Sequence, residues 1–418
     1  MPHRLVLAFR AGFVTVFSLA LMAAVTQAAD SQTFTSLYNF GSGTNYQGPA
    51  GPMVVGSDGS LYGVTVFGGL GYGTVFQLSP PSAPGGTWTE TVLYSFKGGV
   101  DGYTPAEGLA VDNGGNLYGS TLYGGVTGGC NCGTVFKLKP PATPGGAWTK
   151  RTMHAFTGTN GDGANCCSSV LVDSKGIVYG ITHNGGAYGQ TSVGGTVFRI
   201  QSQGSGFVET ILHSFGGTPA DGTLPETSVT LDAAGSLYGT TYQGGAYADG
   251  IVYELSPPSG GNGAWNQTIL YNFRYSTTSS SALIMGASGQ LFGTGSDGGI
   301  DNEGSVYRLT PPSAGQTEWS RTALWSFLGA GSGSGPGGLA LDRATGIFYG
   351  VTAYSDHDSG CGVAYQLAPP TVAGGQWQYT VLHAFSEAEG CLPTGELIRT
   401  AGGTLYGVTE TTAYQITP

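Results

Sequence analysis

Two short stretches of this sequence gather side chains that can hold a cation or move a proton. Asp297, Asp301 and Glu303 fall within seven residues, and Asp356, His357 and Asp358 are consecutive. Asp249 and His183 stand in similar Gly-rich surroundings. Carboxylate oxygens are hard ligands of the kind calcium takes. Histidine is the side chain whose ordinary pKa lets it take up and return a proton near neutrality. Neither cluster follows the twelve-residue calcium-loop pattern, and ordinary solvated loop charge is the competing reading. No cofactor is therefore expected, and a bound cation such as calcium is the one addition these ligands permit.

The remaining histidines point to structure rather than chemistry. His154, His213 and His383 recur in one slot that Tyr94, Tyr271 and Trp325 fill elsewhere, and His3 lies in the leader. There is no Gly-x-Ser-x-Gly, no phosphate-binding loop and no His-Glu-x-x-His. The Gly-Gly-x-Trp stretches at Gly86–Trp88 and Gly146–Trp148 lack the Asp of the sialidase turn motif. The formal charge is −11, from 14 basic and 25 acidic residues. So acidic a chain is a poor partner for nucleic acid.

Six cysteines are present: Cys130, Cys132, Cys166, Cys167, Cys361 and Cys391. An even count in an exported chain favours disulfides. A zinc site from the first four is the alternative, but their Cys-x-Cys and Cys-Cys spacings miss the usual pattern.

The elements that position these residues repeat. An aromatic followed by Gly recurs at Tyr62-Gly63, Tyr118-Gly119, Tyr179-Gly180, Tyr238-Gly239, Phe292-Gly293, Tyr349-Gly350 and Tyr406-Gly407. Such a period signals a repeat architecture. Each repeat reads as four short strands, a to d, rich in Val, Thr, Tyr and Phe and bounded by Gly, Pro, Asn and Ser. A Gly stands at one offset in every a–b turn, from Gly59 to Gly403, where a tight hairpin needs positive φ. The Gly after the aromatic reads as a packing position.

Seven such repeats predict an all-β, seven-bladed β-propeller of four-stranded blades. The first block, Thr33 to Phe40, is a strand d, and the last, Ala413 to Thr417, is a strand c. The N-terminal strand is therefore expected to complete the last blade and cover its edge. In a propeller the b–c loops and d–a connections share one face. That places Cys361 beside Cys391, and Cys130 and Cys132 beside Cys166 and Cys167 in one of two pairings, with a vicinal Cys166–Cys167 bridge as the rival. It also collects most loop carboxylates on that face, together with the candidate ligand-binding residues His183, Asp249, Asp297, Asp301, Glu303, Asp356, His357 and Asp358.

Residues 1–29 stand apart. Arg4 and Arg10 precede an apolar stretch and a small-residue end at Ala28-Ala29, the layout of a secretory signal peptide. Residues 30–418 then form a single propeller domain, secreted or periplasmic, without a membrane span and monomeric.

The ordered recurrence of Leu-Tyr-Gly-x-Thr, Gly-Gly, Gly-Thr-Val-Phe-x-Leu and Thr-Val-Leu-Tyr-Ser-Phe resembles the GloVer tandem-repeat family of exported bacterial proteins. Good copies run from Leu61 to Leu78, Leu117 to Leu138 and Leu237 to Leu255. The resemblance implies export and brings no catalytic residues with it. The expected role is a non-catalytic binding or scaffold module for an extracellular glycan, a protein or peptide, or a cation. The alternative is a propeller enzyme, a lyase or hydrolase, with its site on the b–c/d–a loop face. Converging polar groups that break the repeat symmetry would favour the enzyme.

Overall fold

The computed structural model describes residues 32–418 except 42–46, 84, 106, 144, 166–168, 190–192, 261–262, 275–280, 330, 357–358 and 373. The leader, Cys166, Cys167, His357 and Asp358 thus lie outside the described residues. The chain forms a seven-bladed β-propeller of four-stranded antiparallel blades. Blade 1 runs Pro49–Val55, Leu61–Thr65, Thr74–Ser79 and Thr89–Ser95, from the innermost strand outward. Blades 2 to 6 repeat that order. Blade 4 adds a short strand, Thr223–Pro225, on the far end of its strand b.

Blade 7 takes its strands from both parts of the chain. Thr394–Arg399, Leu405–Val408 and Thr412–Thr417 supply a, b and c. Thr33–Asn39 supplies d, pairing antiparallel from Thr33 opposite Thr417 to Asn39 opposite Thr412. Behind that pairing, Leu37 and Phe40 are buried with Met53, Leu61, Phe76 and Val408.

The recurring glycines explain the local geometry. Gly59, Gly115, Gly176, Gly235, Gly289, Gly346 and Gly403 all have positive φ, which only Gly reaches without cost. The Gly after each aromatic lies under a ring of strand c. A Cβ on Gly63 would meet Phe76 Cζ at 2.5 Å, and one on Gly350 would meet Tyr365 Oη at 2.5 Å. The core is divided among blade interfaces: Val64, Val75 and Phe96 of blade 1, for instance, pack with Leu117, Phe136 and Leu138 of blade 2.

The face assignment follows from bonds rather than from order alone. Each strand-d end returns to the residue before strand c of its own blade, a Gly in blades 1 to 6, as in Phe96 N to Gly73 O (3.0 Å) and Phe385 N to Gly362 O (3.0 Å), and Thr411 in blade 7. The b–c loops and d–a connections therefore share a face, and Cys361 bonds to Cys391 across it.

The other expected pairing needs correction. Cys130 bonds to Cys132, not to Cys166 or Cys167. Asn131 between them adopts a left-handed φ of 60°, which folds the chain back and brings the two Cα atoms to 5.2 Å, inside the range a bridge needs. Among the described residues, no helix is long and apolar enough to cross a membrane.

Candidate functional site

The loop face carries the sequence-predicted residues, but spread over four blades. His183 follows strand b of blade 3, and its Nε2 lies 3.8 Å from Glu226 Oε1. Burial lowers the His183 pKa. Asp249 bridges to Gly244 in the blade 4 loop. Asp297, Asp301 and Glu303 surround a turn closed by Asn302, whose Oδ1 accepts from Gly298 N at 2.9 Å. Asp356 closes a small turn through Ser359. Among the described residues, these carboxylates form no group of three that could surround one ion.

Nor is acidic charge confined to this face. Asp58, Asp112, Asp173, Asp232 and Asp342 sit at the a–b turns, where each Oδ1 accepts backbone N–H groups. On the loop face several acids are already engaged. Asp101 binds Tyr94, Lys97 N and Lys150, and Asp221 binds His213 at 2.8 Å. These contacts give His154, His213 and His383 their structural place, each paired with a carboxylate of its own d–a connection.

Two other features break the repeat. The first is the central channel, a cavity of about 950 Å³ lined by the innermost strands. Just ahead of the first core residue of strand a, most repeats carry small or neutral residues: Pro52, Gly108, Ser169, Ser228, Ala282 and Gly338. Glu396 takes that place in blade 7, and Glu107 and Glu226 stand one or two positions earlier in blades 2 and 4. All three line the channel. Its only basic lining residue among those described, Arg399, is held by Asp342 at 2.9 Å.

Glu107 and Glu396 line the channel, yet protein surrounds them closely. Burial pushes the pKa of each up to about 7, and raises that of Glu226 as well. Glu396 also fills the space over Gly338, where no Cβ could fit.

A pH prediction follows from these shifts. An unfolded Glu ionises around 4.5, so between that pH and about 7 the folded protein holds more protons than the unfolded chain. Stability then falls as pH rises through this window. Glu107→Gln and Glu396→Gln should each melt above wild type at pH 8 and match it near pH 4.5. Equal melting temperatures at pH 8 would contradict the burial argument.

The second feature is a group of tyrosines on blades 1 and 2. Tyr103 stacks on Tyr123 with centroids 5.3 Å apart and meets Tyr72 edge-on at 5.8 Å. The scaffold beneath them is fixed. Tyr103 and Tyr123 exchange backbone hydrogen bonds, Thr104 N donates to Tyr72 O, and the Tyr72 ring lies over Gly98. Asn131 Nδ2 donates to the Tyr103 hydroxyl at 2.6 Å, while its Oδ1 accepts from Gly124 N. The Cys130–Cys132 bridge flanks Asn131 and so helps hold the group.

Tyr72 and Tyr123 are nevertheless 42% and 43% exposed. Twelve of the sixteen exposed large apolar residues described lie in b–c loops, d–a connections or the strand end leading into them. Scattered exposed apolar residues need no explanation, but most of those described here share one face. The b–c loops of blades 1 and 2, residues 66–73 and 122–133, contain no charged side chain. Sequence reasoning missed this group because Tyr is also a strand former. The signal was three tyrosines standing outside every strand.

A family model described as the Gloeobacter/Verrucomicrobia repeat matches residues 15–234 and 225–415. No curated protein matches the chain. Among solved structures, an ancestral GH74 enzyme is similar at a TM-score of 0.55 and 12% identity, over 92% of this chain and 51% of its own. This chain thus spans about half of that enzyme. A luciferin-regenerating enzyme matches at a TM-score of 0.45 and 11% identity, over 93% of this chain and 95% of its own. A structure titled as a gluconolactonase matches at 0.43 and 13%, over 93% and 92%. Identities this low speak to the fold alone.

Proposed function

The chain belongs to the Gloeobacter/Verrucomicrobia repeat family, and we propose that this member is an exported binding module whose loop face takes an uncharged glycan. The observation that carries the proposal is the Tyr72–Tyr103–Tyr123 group, in which exposed Tyr72 and Tyr123 each pack on half-buried Tyr103 and the backbone is held by hydrogen bonds. A sugar ring offers an apolar C–H face and a rim of hydroxyls. Tyrosine rings with hydroxyl groups beside an Asn amide complement both, since such side chains join an apolar body to a polar tip. The uncharged loops of blades 1 and 2 favour a neutral ligand over an anionic one. Rigid aromatic platforms also bind at low entropic cost, because little is ordered on association. Export is supported by the leader-like segment and by two bridges among the described cysteines.

Affinity electrophoresis through gels containing neutral β-glucan, xylan or mannan tests this reading. Wild type should be retarded by at least one of them, and Tyr103→Ala should weaken binding tenfold or more, the loss typical of a central aromatic anchor. Equal mobility in all neutral gels would overturn it. Retardation by anionic alginate alone would do the same.

A second reading rests on the channel. Glu107 and Glu396, with pKa values near 7, are suited to exchange protons with a bound substrate, and Glu226, the partner of His183, lines the same channel. Release of new reducing ends from a bound glycan, abolished in Glu107→Gln or Glu396→Gln but preserved in His213→Asn, would make the module a lyase or hydrolase.

A further inference from the structure

The outer strands are joined by a belt of side chains that changes its chemistry at every blade. The residue four positions before the strand-d aromatic or His reaches back to the preceding blade. Glu90 accepts from the Tyr38 hydroxyl at 2.7 Å, Lys150 binds Asp101 at 2.9 Å, and Tyr379 stacks on Trp325 at 4.7 Å. Phe34 stacks on His383 at 3.9 Å. Between blades 2 and 3 this position is Glu209, and it meets a His and an Asp together.

We propose that His154, Asp162 and Glu209 form a binding site for a zinc-class divalent ion that ties blade 2 to blade 3. His154 Nε2 lies 3.2 Å from Asp162 Oδ1 and 3.8 Å from Glu209 Oε2. One ligand atom from each residue falls within 4.8 Å of the others. Around a tetrahedral ion with bonds of about 2.0–2.2 Å, ligand atoms sit roughly 3.3–3.6 Å apart. Two of the three separations are therefore nearly in place, and the carboxylates need approach by little more than about 1 Å.

Two further observations point to a ligand. Glu209 Oε1 is buried and has no hydrogen-bond partner, a cost removed if the carboxylate takes the ion through both oxygens. Asp162 is already oriented for ligation, because Thr157 N and Oγ1 fix its Oδ2 and Gly163 N fixes its Oδ1. Such outer partners are what hold metal ligands in place. The side chains keep 23%, 15% and 12% exposure for His154, Asp162 and Glu209, which leaves an opening for a water as fourth ligand.

The next joint supplies the contrast. His213 and Asp221 repeat the His–Asp pair at 2.8 Å, but Gln267 stands where Glu209 would be. Its Nε2 donates to Asp221 O at 3.1 Å, so that joint is satisfied by hydrogen bonds alone. The exchange of Gln for Glu at one belt position is what turns the joint into a three-ligand set.

The experiment uses the exported chain, freed of metal by chelator dialysis, titrated with zinc chloride by calorimetry and with cobalt(II) by visible absorption. Wild type should take up one zinc equivalent and show tetrahedral cobalt bands. Glu209→Gln should lose at least tenfold in affinity without a change in apo melting temperature. Gln267→Glu should gain a second equivalent at His213 and Asp221. The proposal is overturned by no zinc uptake in wild type, which leaves an ion pair only. It is equally overturned by uptake that Glu209→Gln leaves unchanged, or by a Gln267→Glu variant that gains nothing.

Discussion

Removing residues 32–40 should abolish the cooperatively folded monomer. Thr33–Asn39 is the fourth strand of blade 7, and without it the edge of Thr412–Thr417 is left unpaired, a template for aggregation. The loss reaches two blade interfaces at once. Phe34 packs its ring against His383, Phe385 and Tyr414 toward blade 6. Phe40 packs on Phe76 of blade 1 at 4.8 Å. Truncating a buried Leu or Phe to Ala alone costs about 2–5 kcal/mol. Losing Leu37, Phe40 and a whole ladder of backbone bonds therefore consumes most of the roughly 5–15 kcal/mol that a domain has to spare. Gel filtration and scanning calorimetry check this: the truncated chain should run as aggregate and show no sharp transition. A synthetic peptide spanning 31–41, added in trans, should restore part of the folded fraction. An unchanged monomer with an unchanged melting temperature would contradict the role assigned to this strand.

The second large effect is expected at Gly350. Its backbone is ordinary strand, so the glycine is not there for φ; it is there because Tyr365 lies across it. An added Cβ would meet Tyr365 Oη at 2.5 Å and Cζ at 2.6 Å. Tyr365 is fully buried and wedged against Phe327 and Tyr379, so it has no room to retreat. Gly350→Ala should lower stability by about 1–3 kcal/mol, the usual cost of overpacking a filled core, despite Ala's lower backbone entropy in the unfolded chain. Gly402→Ala is the control: its nearest neighbour would be Thr400 Oγ1 at 3.9 Å, and it should stay within about 0.5 kcal/mol of wild type. Urea midpoints at constant slope compare the two. Equal midpoints would remove the packing explanation for the aromatic-Gly repeat.

That repeat was the most legible part of the sequence because two physical demands wrote it seven times. The a–b turn needs positive φ, and the ring of strand c needs a neighbour without a side chain. Both show as Gly at a fixed offset. The d strand at the N-terminus and the c strand at the C-terminus were legible for the same reason, since each matched a repeat with one part missing.

What escaped was what the repeat does not enforce. Glu107, Glu226 and Glu396 occupy the start of strand a, where the run of Pro, Gly, Ser and Ala in other blades carries no hydrophobic signal to align on. The belt residue Glu209 looked like an ordinary polar position of an alternating strand. Its meaning comes from His154 on another blade. The Cys130–Cys132 bridge needed Asn131 in a left-handed turn, a local conformation that an argument from strand order does not address. His183, Asp249, Asp297, Asp301, Glu303 and Asp356 were correctly placed in loops, but shared location on a face did not bring them together as one site.

Hydrogen exchange with and without a retained neutral glycan addresses the binding proposal most directly. Amides in residues 66–73, 99–104 and 122–133, the loops that carry Tyr72, Tyr103 and Tyr123, should slow on glycan addition, while the a–b turns around Gly115 and Gly176 on the opposite face should not change. Protection centred on those turns, or none on the tyrosine loops at saturating glycan, would contradict the proposal that the loop face is where this protein binds.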